Sequence, residues 1–323
     1  MTGVIFDGNE LRVDTRLPMP VPAPGEALVK VTLAGVCRTD QEIVRGYGGY
    51  AGVLGHEFVG VVEEAPEARW IGQRVVGEIN CPCHDCPPCR RGDRIHCQTR
   101  TTLGIHHRGG CMADYLVLPQ ENLHAVPSHL SDEQAVFAEP LAAAVSVTQR
   151  VHIHPEARIT VVGDGRLGLL VCAVLRLTGC HLRLVGNHPA KMGIASGMGI
   201  EVLPAADVGH SETEDVVVEC SGTTAGRSLA LSLVRPRGTL VLKGTHVESG
   251  GLDANRIVVD EIRLLGSRCG PFAPALRLLA AGLVNTEPLL EGVWPLRQAV
   301  AAFARAEMKA VLKILLRPSG RSA

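Results

Sequence analysis

Cys37, His56 and Glu57 are the residues whose types and spacing point most directly to chemistry. They sit in two short clusters, Cys37-Arg38-Thr39-Asp40 and, nineteen positions after the cysteine, Gly55-His56-Glu57. Thiolate, imidazole and carboxylate are all ligand types that zinc accepts. Each cluster closes an extended, apolar-rich run, residues 28–36 before the cysteine and 51–54 before the histidine. A strand end can hold a ligand rigidly, so the pair reads as a metal site.

A second cluster has tighter spacing. Cys83, Cys86, Cys89 and Cys97 form C-x2-C-x2-C-x7-C. Three thiolates at two-residue gaps can fold around one ion, and a fourth closes the tetrahedron. Zinc and an iron–sulfur cluster both take four cysteines. Prolines and a glycine leave the lobe little core of its own, so the metal would order it. Structural zinc supplies about 10–16 kcal/mol in small peptides. Cys81 is left over with no role.

A third pattern begins with the strand-like Ile159-Thr160-Val161-Val162, followed by Gly163-Asp164-Gly165-Arg166-Leu167-Gly168 and an apolar helix over 169–177. A glycine fingerprint between a strand and a helix lets the backbone approach a pyrophosphate at the helix N-terminus. Strand-like runs at 181–185, 215–219, 239–243 and 262–265 alternate with helix-like runs at 189–196 and 225–234. That alternation predicts an α/β unit with a doubly wound parallel sheet.

The rest of the chain must position these groups. Before residue 126 it is mostly short strands: 3–6, 10–13, 27–33, 58–63, 74–77, 110–118 and 123–126. Prolines at 18, 20, 22 and 24 make that stretch an extended connector, not a central strand. Ser131 and Gln134 have the spacing of a reciprocal helix cap. Glu139 then falls in an alanine- and valine-rich run, where a carboxylate needs a cation or a donor nearby. Helices are expected over 274–281 and 297–306, then a buried strand over 310–316 whose one polar residue is Lys313.

Composition bounds the partners. The chain has 323 residues, enough for two domains, and a formal net charge of −1. That balance offers nothing to nucleic acid or an acidic membrane. No apolar run reaches the ~20 residues of a membrane span. With no leader-like N-terminus and the cysteines clustered, the reading is a cytoplasmic protein that binds metal rather than forming disulfides.

Taken together, Gly35-Val36-Cys37-Arg38-Thr39-Asp40, Gly55-His56-Glu57, the four-cysteine lobe, Glu139-Pro140-Leu141 and Gly163 to Gly168 resemble the zinc-containing medium-chain alcohol dehydrogenases, in the same order and over essentially the whole chain. The resemblance implies a GroES-like β-rich catalytic domain from residues 1–141 and 271–323 and a Rossmann domain over 142–270. It implies two zinc ions per chain, a nicotinamide dinucleotide, an alcohol or polyol (or the matching carbonyl compound) as substrate, and a homodimer or homotetramer. Cys37 and His56 match the first two catalytic zinc ligands. The third position falls on Glu139, as in the sorbitol, threonine and sugar dehydrogenase branch. Glu57 matches a carboxylate behind the metal that can swing in as a ligand. Cys83, Cys86, Cys89 and Cys97 match the structural zinc set. Thr39 matches the hydroxyl that relays the substrate proton, Asp40 the carboxylate orienting the histidine, and Arg38 a pyrophosphate contact. Two departures stand out: Glu42 replaces the relay histidine, and Gln73 replaces the usual aspartate before Arg74.

Two other readings compete, a zinc-free quinone or enoyl reductase of the same superfamily and a non-catalytic nucleotide sensor. The first normally lacks the cysteine lobe and the Gly-His-Glu ligands. The second would lose Cys37, His56 or Thr39 first, and all are present.

The choice between NAD and NADP is set about 20 residues past the fingerprint, where a carboxylate takes the ribose hydroxyls of NAD. That place falls on Gly186, and Asn187, His188, Pro189, Ala190 and Lys191 follow. Without an acid there, Asn187, His188 and Lys191 would be free to meet a 2′-phosphate. The sequence therefore leans towards NADP, although no arginine stands in the loop to clamp the phosphate bidentately.

Overall fold

The computed structural model describes residues 1–209, 213–244 and 251–318. The chain divides into two compact units: Met1–Glu139 with the segment from Phe272 onward, and Pro140–Pro271. The sequence expectation put these divisions at 141/142 and 270/271.

The first unit is built on a seven-stranded sheet. Its spine is the ten-residue strand Glu26–Gly35, whose alternating Ala27, Val29, Val31 and Leu33 are all buried. One edge of this strand pairs antiparallel with Glu57–Glu64. The other edge is shared: Tyr115–Pro119 pairs with its first half, and the C-terminal strand Lys313–Arg317 with Ala34 and Gly35. The chain end is thereby stitched beside the segment that leads into Cys37. Arg74–Gly77, Leu123–Ala125 and Leu290–Pro295 complete the sheet. Ser131 and Gln134 form the expected reciprocal cap at the start of Asp132–Ala135.

The second unit is a parallel six-stranded sheet in the spatial order third, second, first, fourth, fifth, sixth. The first strand is Arg158–Val162, and its Ile159, Val161 and Val162 are buried, as a strand covered on both faces requires. Val217, Leu233, Val234 and Leu240 belong to the same core.

Three expectations are revised. The sheet gains Glu201–Pro204, an edge strand too short and mixed to show a period. Leu290–Pro295, with glutamate, glycine and proline among its six residues, was likewise illegible. The strand expected over 110–118 begins only at Tyr115, because Cys111 and Met112 instead hydrogen-bond to Gly55 and Leu54. Among the described residues, no helix is long and apolar enough to cross a membrane.

Candidate active site

Cys37 follows the spine strand and caps the helix Arg38–Val44. Its backbone N–H donates to the Asp40 carboxylate at 2.8 Å, which fixes the turn that presents the thiol. The other Asp40 oxygen lies 3.1 Å from Nδ1 of His56. Asp40 and His56 are both buried, so this contact orients the imidazole and leaves Nε2 as its coordinating nitrogen. Burial alone would lower the His56 pKa, but the charges of Asp40 and Cys37 outweigh it and hold the value well above the ordinary one.

Cys37, His56 and Glu57 place one ligand atom each within 4.8 Å of one another. Glu57 sits opposite Gly35 in the sheet register. A Cβ at Gly35 would lie 2.2 Å from Glu57 Oε2, so only glycine lets the carboxylate cross that strand. Beyond it stands Lys313, whose Nζ donates to Glu57 Oε2 at 2.5 Å and lies 5.8 Å from the Phe137 ring centroid. Sequence reasoning missed this lysine as part of the site, and its signal was a lone charge in an otherwise apolar strand. Glu139 is half-buried near the start of the helix Ala138–Arg150 and stands outside the three-residue ligand group.

Thr39 occupies the first turn of the helix that follows Cys37. Arg38 is exposed and reaches Glu42 at 2.7 Å, and Arg45 reaches the same carboxylate oxygen at 2.9 Å. Glu42 is thus clamped by two guanidiniums, and Arg38, expected at a pyrophosphate, is bound within its own helix.

The four-cysteine lobe converges as expected, with the four sulfurs of Cys83, Cys86, Cys89 and Cys97 all within 4.8 Å. Cys86 Sγ lies 3.4 Å from Cys89 Sγ and 3.8 Å from Cys97 Sγ. Zn–S bonds of about 2.3 Å in a tetrahedron give an edge of about 3.8 Å, so the cage fits one zinc ion. A cluster holds its cysteines around several irons and needs them farther apart. Backbone N–H groups of Cys83 and Cys86 point at Cys97 and Cys83 sulfurs, as thiolate ligands require. Hydrogen bonding to Thr99 and to the Asp85 and Cys86 backbone lowers the pKa of the Cys83 thiol, while burial raises that of Cys89.

In the second unit, the fingerprint joins Arg158–Val162 to the helix Arg166–Leu175, whose cap is Gly165. Gly163 has φ +115°, and a Cβ there would lie 2.6 Å from the Ser221 nitrogen. Gly168 packs on the Gly163 carbonyl, while Arg166 and Leu167 form the first helical turn. The glycine turn thereby leads straight into a helix N-terminus, the arrangement that receives a pyrophosphate.

The loop after the second strand differs from the sequence reading. The backbone N–H groups of Asn187 and His188 both donate to Asp164 Oδ2, at 2.8 and 2.7 Å. His188 Nδ1 lies 3.0 Å from Asp164 Oδ1. A Cβ at Gly186 would lie 2.6 Å from the same carboxylate. The donors assigned to a 2′-phosphate thus already serve an acid from the fingerprint itself. Lys191 is buried, not a solvated helix lysine, and its pKa is lowered by burial, with Asp164 opposing and Arg166 assisting.

Comparisons with known proteins agree with this geometry. Residues 23–128 match the alcohol dehydrogenase GroES-like domain, and 167–281 the zinc-binding dehydrogenase family. The erythritol/L-threitol dehydrogenase of Mycolicibacterium smegmatis is 29% identical over 92% of each chain. The sorbitol dehydrogenase of Halalkalibacterium halodurans is 28% identical over 93% of this chain and 94% of its own. An alcohol dehydrogenase from E. coli CFT073 complexed with NADH superposes with a TM-score of 0.89 at 26% identity, covering 98% of this chain and 99% of that one. A zinc-binding dehydrogenase from Sinorhizobium meliloti 1021 bound to NADP gives 0.89 at 27% identity with the same coverage. Fold and site together define an NAD(P)-dependent oxidoreductase with zinc chemistry. The chain belongs to the zinc-containing medium-chain alcohol dehydrogenase family, in its sorbitol-dehydrogenase-like branch.

Proposed function

We propose that this protein interconverts a polyol, or a related small alcohol, and its ketone or aldehyde, with two zinc ions per chain and NAD or NADP as the hydride carrier. The observation that carries this reading is the Cys37, His56 and Glu57 ligand group with Asp40 behind the histidine. The polyol class rests on the names of its relatives, which include erythritol/L-threitol and sorbitol dehydrogenases.

Cys37 and His56 would hold the catalytic zinc with a glutamate, Glu57 or Glu139, and Cys83, Cys86, Cys89 and Cys97 the structural one. When bound, the catalytic zinc supplies Lewis acidity at the substrate oxygen, and the nicotinamide takes up hydride. One thiolate and one carboxylate balance the charge of a divalent ion. Asp40 keeps His56 in the tautomer that coordinates through Nε2. Thr39 would take the hydroxyl proton of the substrate while giving its own hydroxyl proton to solvent water. Glu42, paired with Arg38 and Arg45, stands in place of the relay histidine. Gly163, Gly165, Arg166, Leu167 and Gly168 bind the pyrophosphate.

The setting is cytoplasmic and the assembly a homodimer or homotetramer. A panel of four- to six-carbon polyols and simple alcohols, followed by nicotinamide absorbance with both dinucleotides, tests the reading. Turnover should appear with vicinal polyols and vanish on chelation of zinc. Turnover that survives complete zinc removal would favour the zinc-free reductase reading, and no turnover with any alcohol or ketone the sensor reading.

A further inference from the structure

In this fold the adenosine ribose lies at the end of the second strand, and the residue there decides whether a 2′-phosphate is admitted. That strand is His181–Gly186, and it ends without an acid. An acid is nonetheless present. Asp164, from inside the glycine fingerprint, is 6% exposed and lies against Gly186, where no side chain would fit. Its carboxylate accepts the backbone N–H groups of Asn187 and His188 and faces the ring Nδ1 of His188. Two consecutive N–H groups and an imidazole nitrogen are what an anion-binding corner consists of.

We propose that Asp164 is a resident anion in the 2′-phosphate corner, so that the protein selects NAD over NADP by filling that corner from the fingerprint and not from the strand end. The carboxylate engages the donors a phosphate would need, and it repels a second anion. The donors around it form a latent phosphate site that Asp164 keeps closed. This reverses the preference drawn from the loop sequence alone, and it rests on the nicotinamide-dinucleotide reading above.

The test is equilibrium binding of NADH and NADPH to the zinc-loaded protein, read by nucleotide fluorescence without substrate. The unmodified protein should bind NADH at least tenfold more tightly than NADPH. Asp164→Asn retains the two backbone hydrogen bonds without the charge and should narrow that ratio at least tenfold, mainly by tightening NADPH. Asp164→Ser, which also opens space, should narrow it further. Equal or tighter NADPH binding by the unmodified protein overturns the proposal without any variant. An unchanged ratio in both folded variants overturns it too. Failure of the unmodified protein to bind either nucleotide would instead strike the dinucleotide reading itself.

Discussion

The Lys313 ammonium lies 2.5 Å from the Glu57 carboxylate, although the two residues are 256 positions apart and both are buried. Lys313 also donates to the Val36 carbonyl at 3.4 Å, one residue before the zinc-ligand candidate Cys37. Three neighbouring strands bring this about. Glu57 opens one, Gly35 closes the next, and Lys313 opens the third, with Gly35 paired to Glu57 on one side and to Leu315 on the other. The carboxylate passes over the bare glycine to reach the lysine.

This pair should matter more to stability than any exposed ion pair of the chain. Removing one partner of a buried pair costs about 3–5 kcal/mol, whereas exposed pairs contribute about 0–1. Lys313→Met should therefore lower the denaturant midpoint substantially, while Lys313→Arg retains most of it. A Lys313→Met protein that unfolds like the unmodified one would show that Glu57 is adequately held by its other contacts.

Metal content separates the two cysteine sets. About two zinc ions per chain are expected by elemental analysis. Cys86→Ala should lose one and lower the thermal midpoint, since the lobe depends on its ion for order. Cys37→Ala should lose the other and all turnover, with a far-UV spectrum like that of the unmodified protein. One tightly bound ion in the unmodified protein, or an active Cys37→Ala variant, contradicts the assignment.

Glu139 tests the third ligand. It stands outside the close group of Cys37, His56 and Glu57, yet the resemblance of its motif proposes it as the third ligand. Glu139→Gln should lower turnover or zinc affinity by at least about tenfold, the scale of altered metal shells. Zinc content and turnover both unchanged would return Glu139 to a structural role and leave Glu57 as the carboxylate ligand.

Tyr50 provides an alkaline signature. Its hydroxyl lies 2.8 Å from the Val53 carbonyl and 2.9 Å from that of Arg108. Burial, and secondarily the Asp40 charge, push its pKa from 10.0 up to about 12. The folded state thus keeps a proton that the unfolded chain loses at lower pH. The contribution is fully present below pH 10 and is lost as pH rises to about 12, at roughly 1.4 kcal/mol per unit. Denaturant midpoints measured across this range should fall more steeply for the unmodified protein than for Tyr50→Phe. Parallel curves would mean that Tyr50 titrates normally.

Much of the site was legible because its signals are local. The cysteine spacing of the lobe, the Gly-His-Glu cluster and the glycine fingerprint each lie within a few residues, so ligand type and spacing alone specify their chemistry. The second unit was legible through its strand–helix alternation, since strands buried on both faces read as unbroken apolar runs. Short edge strands such as Glu201–Pro204 left no such trace.

What the tertiary structure decided are the partners of buried charges. Lys313 was visible as a lone cation in an apolar strand, but its carboxylate comes from the other end of the chain through sheet register. Asp164 was visible as a variable position of the fingerprint, but parallel pairing of the first two strands carries it to the Asn187 and His188 backbone. A buried charge demands a partner, and sequence shows that demand. Which group meets it depends on strand order and register, and those are settled only when the sheets close.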